Sequence, residues 1–387
     1  MTASLPYRLR LPGPTTVPER VRQAMARPML SHRGPEFTDI LRRSEEMLQP
    51  VLGTHNRVFF FSSSGTGMME AALVNVLAPG ERVLISTHGQ FGERFAAIAT
   101  ALGARVETLD IPWGLAPTAA GIEGRIRSAD YRAVVVVHNE SSTGVVADLA
   151  SIGDVLRGRD ELLVVDSVSG LGGVEMRQDE WGVDIVASSS QKALMCPPGV
   201  GVISMSGKAW EIVNRDDRLP RFYWDFRKAR AAVEKPETPF TTPVSLMAGL
   251  HEALEMIHEE GLPRVLARHQ TLSRALRAGC AALGLASYAK AEILSSTVVC
   301  LDVPEKLNGK DIVRRLKERY GTVITGSRNK LDGRVIRIGT MGSVSAGDIL
   351  TDLAHLEAAL RELGWAVTPG AGLAAAAAIL QEESYAR

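Results

Sequence analysis

The sequence predicts an α/β protein: a mainly parallel sheet of seven strands in a large domain, followed by a smaller α+β domain. Three observations predict it. Between residues 57 and 206, short runs rich in Val, Ile and Leu alternate with longer Ala- and Leu-rich segments, the pattern of a repeating strand–helix sheet. Several short runs are almost continuously apolar, as strands covered on both faces must be. The chain, at 387 residues, is longer than one ordinary core supports, so two packed domains are expected.

The predicted strands are Val58 to Phe61, Arg82 to Ser86, Arg105 to Leu109, Ala133 to Val137, Leu162 to Val165, Asp184 to Ala187 and Gly201 to Ser204. A helix over Met68 to Leu77 follows the first strand, and another opens at Phe91 after the second. Past the Pro- and Thr-rich stretch Pro236 to Pro243, a helix over Ser245 to Glu260 marks the change of domain. Two further strands are expected near Thr297 to Val303 and Val335 to Ile338. The resulting division is an N-terminal segment 1–14, a large domain 15–244, a smaller domain 245–365 and a tail 366–387. The Ala run of that tail, Ala374 to Ala378, reads as a terminal helix or a frayed end.

Composition narrows the function classes. Lys plus Arg and Asp plus Glu are both 44, and no basic stripe is visible, so a nucleic-acid partner is not expected. Cys196, Cys280 and Cys300 are odd in number and lack metal-ligand spacing, which argues against a disulfide scaffold or a metal site. Met1 to Arg10 lacks the apolar run of a signal peptide, no segment approaches a membrane span, and Ser384 to Arg387 is no peroxisomal address. A cytoplasmic protein with no membrane partner is expected.

Ligands of open α/β sheets bind at the carboxyl ends of strands, so the residues there carry the functional reading. Lys192, in Ser188-Ser189-Ser190-Gln191-Lys192-Ala193, falls in a loop between two strands. Most lysines are surface charges, but a partly desolvated loop of small side chains lets an amine lose its proton, which a Schiff-base lysine requires. Asp166 ends the apolar run Leu162-Leu163-Val164-Val165, where a carboxylate is costly without a cationic partner. The pyridinium nitrogen of pyridoxal phosphate (PLP) is such a partner, and the acid would keep it protonated as an electron sink. Capping of the next turn is the other role open to Asp166.

A phosphate cradle is visible in Ser62-Ser63-Ser64-Gly65-Thr66-Gly67, ahead of a helix whose free N–H groups favour an anion. Its spacing matches neither dinucleotide nor P-loop patterns, although a plain capped helix would read similarly. Phe91 is placed to stack on a pyridine ring with Val168 on the opposite face, or to pack in the core.

In order along the chain, Ser64-Gly65-Thr66-Gly67, His138-Asn139-Glu140-Ser141-Ser142-Thr143-Gly144-Val145, Val165-Asp166-Ser167-Val168 and Ser190-Gln191-Lys192-Ala193-Leu194 resemble the class V aminotransferases of PLP fold type I. Among these the likeness is to the alanine–glyoxylate and serine–glyoxylate (serine–pyruvate) enzymes. It runs from Leu11-Pro12-Gly13-Pro14-Thr15 to Arg337-Ile338-Gly339. The resemblance implies that Lys192 carries PLP, Asp166 partners the ring nitrogen, Phe91 stacks on the ring and Ser141 sits beside its 3-oxygen. It further implies that Ser64, Gly65, Thr66 and Gln191 hold the phosphate with Thr241 of the partner subunit, and that Arg337 grips the substrate carboxylate, joined in substrate binding by Ser141. A homodimer with shared active sites follows from the same likeness.

Three positions depart from the family pattern and bear on substrate preference: Asn139 for a common Gly, Leu11 for a Gly before the Pro-Gly-Pro turn, and Thr238 for a Tyr. Gln191 before the lysine argues against cysteine desulfurases, which have His there. The expected reaction is transfer of an amino group from serine or alanine to glyoxylate or pyruvate. The alternatives are a lyase, or a transaminase for pyridoxamine or an aminophosphonate, on the same frame. A non-catalytic binding protein is a third possibility, disfavoured by the intact Lys, Asp and phosphate loop.

Overall fold

The computed structural model describes residues 7–215, 219–235 and 237–385. The expectations for Met1 to Pro6, Pro236, Ala386 and Arg387 lie outside the described residues. Seven strands form one sheet in the order Val58–Ser63, Gly199–Met205, Ile185–Ser189, Leu162–Asp166, Ala133–Val137, Arg82–Thr87, Arg105–Asp110. Gly199–Met205 is antiparallel to both neighbours and every other adjoining pair is parallel, so six strands run in one direction. These are the seven predicted strands, with shifted ends. One shift moves Asp184–Ala187 to Ile185–Ser189, because Ser188 and Ser189 pair with Val202 and Gly201 across the antiparallel ladder, where their polarity hides the strand from a hydropathy reading.

Alternation along each strand loads both faces of the sheet. Phe59, Phe61, Val135, Leu162, Val164 and Ile185 pack under the helices Gly65–Val76 and Gln90–Ala101. Val58, Phe60, Val134, Val136, Leu163 and Val165 pack on the helices Pro35–Leu52, Leu149–Leu156 and Val244–Glu260. No helix among the described residues is long and apolar enough to cross a membrane.

A second core follows in the chain. The antiparallel strands Val298–Asp302, Val335–Gly339 and Thr325–Gly326 pack with the helices Leu262–Ala282, Gly309–Tyr320 and Ala346–Glu362. The Ala-rich tail forms the helix Ala371–Tyr385, which lies along Leu262–Ala282.

The N-terminal residues strap the two cores together. Arg8–Leu9 pairs in parallel with Thr322–Val323, and Gly339 N–H donates to the Arg10 carbonyl at 2.8 Å. A Cβ on Gly339 would stand 2.1 Å from the Leu11 carbonyl oxygen, so this close passage requires glycine. Arg10 pairs with Asp352, and Arg8 reaches both Asp348 and Asp352. Arg10 and Asp352 are 4% and 2% exposed. Burial outweighs the two guanidiniums and leaves the Asp352 carboxyl above its ordinary value, so this pair orders the strap more than it stabilises the fold. Removing one partner strands the other. Asp352→Ala is therefore expected to lower stability by about 3 kcal/mol in chemical denaturation and to speed proteolysis near residues 10–16. An unchanged midpoint would show that the strap is held elsewhere.

Candidate active site

The co-directional strands bring their carboxyl ends to one edge of the sheet. The exits of five strands at that edge, with the turns and helix starts that follow them, carry all the predicted site residues except Thr241 and Arg337. Lys192 lies just past Ile185–Ser189, 9% exposed. Its Nζ donates to the Pro12 carbonyl, and its own carbonyl accepts from Thr15 Oγ1 at 2.9 Å. Gly13 covers the amine with φ +106°, and a Cβ there would stand 2.5 Å from Nζ. Burial pulls the lysine down to about 8, opposed by Asp166 and assisted by Arg337 and Arg94.

Asp166 ends its strand at 3% exposure and accepts one hydrogen bond, from Val168 N–H at 2.7 Å. Burial pushes its carboxyl up to about 7; Glu140 adds to the rise, while Val168 N–H, Lys192 and Arg94 oppose it. Asp166 and Lys192 thus feel each other's charge without forming an ion pair.

The predicted Met68–Leu77 helix begins earlier, at Gly65, and Ser64 caps it by accepting from Gly67 N–H at 3.3 Å. The Gly-Thr-Gly run masks this first turn, because two glycines remove the apolar periodicity. Thr66 Oγ1 accepts from Arg94 Nη1 at 3.0 Å. Gly65 lies against Val168, so the cradle and the residue after Asp166 are in contact. Gln191 bonds through its carbonyl to Thr15 N–H, and its Oε1 is buried without a partner. Phe91 is the second residue of Gln90–Ala101, half-buried, with the Arg94 guanidinium 4.7 Å from its ring centroid.

Arg337 reaches this cluster from the smaller core. Ile336 and Ile338 point into that core, while Arg337 donates to the Ser141 carbonyl at 2.8 Å and to the Gly326 carbonyl at 3.0 and 2.8 Å. Burial lowers its pKa from the ordinary value. The guanidinium expected to grip a substrate carboxylate is held here by backbone carbonyls. Thr241 is exposed, in the segment before Val244–Glu260.

Two residues at the site went unread in the sequence. Glu140 is fully buried and accepts from Phe91 N–H (2.9 Å), Gly92 N–H (3.3 Å), Ser142 N–H (3.1 Å) and Ser142 Oγ (2.5 Å). Asp166 was singled out as an acid directly ending an apolar run, and Glu140, three residues past the all-apolar Ala133–Val137, offers a looser version of the same signal. Arg94, one helical turn after Phe91, is the second. The departures also find places. Asn139 Nδ2 donates to Ser169 Oγ and Thr297 Oγ1 at 2.7 and 3.0 Å, joining the large core to the smaller one. The Leu11 carbonyl meets Gly339, and Thr238 Oγ1 donates to the Phe240 carbonyl.

A family model described as aminotransferase class-V matches residues 13–335. The chain belongs to the class-V aminotransferases. This aminotransferase is 40% identical over 378 residues to a protein of Synechococcus named soluble hydrogenase, small subunit, covering 96% of this chain and 98% of that one. It is 37% identical to the serine–glyoxylate aminotransferase of Methylorubrum extorquens, over 98% and 97% of the two chains. The crystal structure of the ureidoglycine–glyoxylate aminotransferase of Bacillus subtilis superposes with a TM-score of 0.92 at 30% identity, covering 98% of this chain and 100% of that one.

The aminotransferase has PLP fold type I, and its cofactor is pyridoxal phosphate. The residues present fit that group. Among the described residues Asp166 is a buried carboxylate with one N–H donor and no cation in contact, and the PLP ring nitrogen would supply a cation of the right kind. Until the cofactor binds, that carboxylate is a liability. A carboxyl raised from 3.8 to about 7 destabilises the folded apoprotein increasingly as pH rises through that interval, because the unfolded chain ionises first. Asp166→Asn keeps the acceptor for Val168 N–H and removes the charge. The apoprotein of this variant is expected to melt about 2 °C or more above wild type at pH 8, with the gap closing toward pH 4, while turnover falls by about a hundredfold or more. A wild-type melting point at both pH values, with full turnover, would reduce Asp166 to a turn cap.

Proposed function

We propose that this aminotransferase moves an amino group from serine or alanine to glyoxylate or pyruvate, with Lys192 as the residue that carries the cofactor. The observation that carries the reading is a desolvated amine at a strand end, held near Asp166 and Arg337. An amine pulled down to about 8 is free of its extra proton in roughly a tenth of molecules at pH 7, far more often than an ordinary lysine, which favours its use as a nucleophile and proton carrier.

Pyridoxal phosphate, when bound, supplies the electron sink for charge developing at the substrate Cα. The chain's residues do the rest. Asp166 would hold the proton on the ring nitrogen, Phe91 and Val168 would flank the ring, and Ser141 would stand at the 3-oxygen. Ser64, Gly65, Thr66 and Gln191 would hold the phosphate, completed by Thr241 of the partner subunit. Arg337 exchanges backbone carbonyls for the substrate carboxylate, and its planar fork orients the Cα–H bond. Lys192 would take up and return the proton of the substrate Cα.

The working form in this reading is a cytoplasmic homodimer. It is supported by the exposure of Thr241 beside an aromatic patch in which Phe222 is 70% exposed and Tyr223 stacks on Phe240. Trp224 connects that patch to Gly67 of the cradle.

The test is a matrix of donors (serine, alanine, aspartate, ureidoglycine, pyridoxamine) against glyoxylate and pyruvate, followed by cofactor absorbance. Serine or alanine is expected to convert the cofactor once per site when alone and to turn over only with an acceptor. Continued turnover on a donor alone would identify a lyase, and reaction with pyridoxamine but neither amino acid would overturn the substrate assignment. In the same assay Arg337→Lys, which keeps the charge and loses the fork, is expected to raise KM for donor and acceptor by about tenfold. Unchanged KM values would remove Arg337 from the substrate site.

A further inference from the structure

We propose that Arg94 is the charge partner of the cofactor's phosphate, an assignment that rests on the reading of Ser64, Gly65 and Thr66 as the cradle. A phosphate monoester carries roughly −1.5 to −2 charges at neutral pH. Ser64, Gly65, Thr66 and Gln191 are all uncharged, and a helix N-terminus offers only about half a unit of positive charge. The cradle as read is therefore short of cation.

Arg94 stands where the deficit lies. It follows Phe91 by one turn on Gln90–Ala101, so both side chains share the helix face turned toward Gly65–Val76. Its Nη1 donates to Thr66 Oγ1 at 3.0 Å, in the first turn of that helix. Its guanidinium lies over the Phe91 ring, a contact that holds the fork in place without consuming its donors. Its charge is felt at both Asp166 and Lys192. Arg337, the other cation felt at Lys192, is tied to the Ser141 and Gly326 carbonyls.

Among the described residues no carboxylate pairs with Arg94. The adjacent Glu93 is engaged by Lys330 at 2.8 Å. A half-buried guanidinium, oriented by a ring and a hydroxyl at the mouth of a neutral cradle and lacking a counter-ion, is built for an anion that arrives from outside. Its planar donor array suits a phosphate better than a point charge would.

Phosphate recognition separates from ring support by comparing PLP with pyridoxal, which lacks the phosphate. Apoenzyme is titrated with each compound by tryptophan fluorescence, for wild type, Arg94→Gln and Arg94→Lys. Arg94→Gln is expected to weaken PLP by about tenfold or more and to leave pyridoxal within about twofold, with Arg94→Lys between. Equal losses for both compounds would make Arg94 a support for Phe91 alone, and no loss for either would leave it without a role; each result overturns the proposal. Wild-type apoenzyme that binds the two compounds equally would refute the cradle reading itself, and the proposal with it. A second measurement needs no variant: the phosphorus resonance of cofactor bound to wild type is expected to stay dianionic well below the free second pKa of about 6. A bound resonance that titrates like free cofactor overturns the assignment.

Discussion

The site depends on one arrangement: an amine and a carboxylate, both removed from water at neighbouring strand ends, held close enough to feel each other and too far apart to pair. Lys192 and Asp166 occupy these positions because Leu162–Asp166 and Ile185–Ser189 run side by side in the same direction, so their exits open on the same edge. Each is costly in the apoprotein, since burial drives the amine down and the carboxyl up. Much of the surrounding structure keeps that cost from being relieved. The strap from Arg8 to Thr15 lays Pro12 and Gly13 over the amine, and the same strap is sewn to the smaller core at Arg10 and Gly339. Closure of the lysine pocket and docking of the two cores are consequently one packing event.

Glu140 organises the opposite wall. Among the described residues its carboxylate has no cationic side chain in contact and is held by N–H groups at the start of Gln90–Ala101 and by Ser142, the helix-terminus solution for a buried anion. Through Phe91 N–H it fixes the backbone that carries the Phe91 ring. Through Ser142 it fixes the loop whose Ser141 carbonyl receives Arg337. One buried acid therefore ties the backbone at Phe91 to the loop that receives the arginine of the other core, and its charge is felt at Asp166 and Arg337.

How much of this was legible in the sequence follows from the range of each interaction. The Val135–Val137 and Leu162–Val165 stretches announce themselves as strands because covering both faces demands continuous apolar residues. Lys192 and Asp166 could be read as strand-end chemistry for the same reason, and their neighbours carried the family resemblance. The beginning of Gly65–Val76 and the end of Ile185–Ser189 were hidden by glycines and serines chosen for close approach and pairing rather than for hydropathy. The strap, the Asn139–Thr297 link and the tether of Arg337 to Ser141 join residues far apart in sequence, and no local pattern encodes them. Arg94 lay within reach, three residues from Phe91, but its meaning depends on Thr66 from another helix.

Reductive trapping tests the account's central claim most directly. Holoenzyme is treated with borohydride, digested, and its peptides are mapped by mass for the cofactor adduct. The account predicts one modified peptide, with the adduct on Lys192, and no adduct when Lys192→Ala is treated alike. An adduct on any other lysine, or on Lys192→Ala to the same extent, would contradict it.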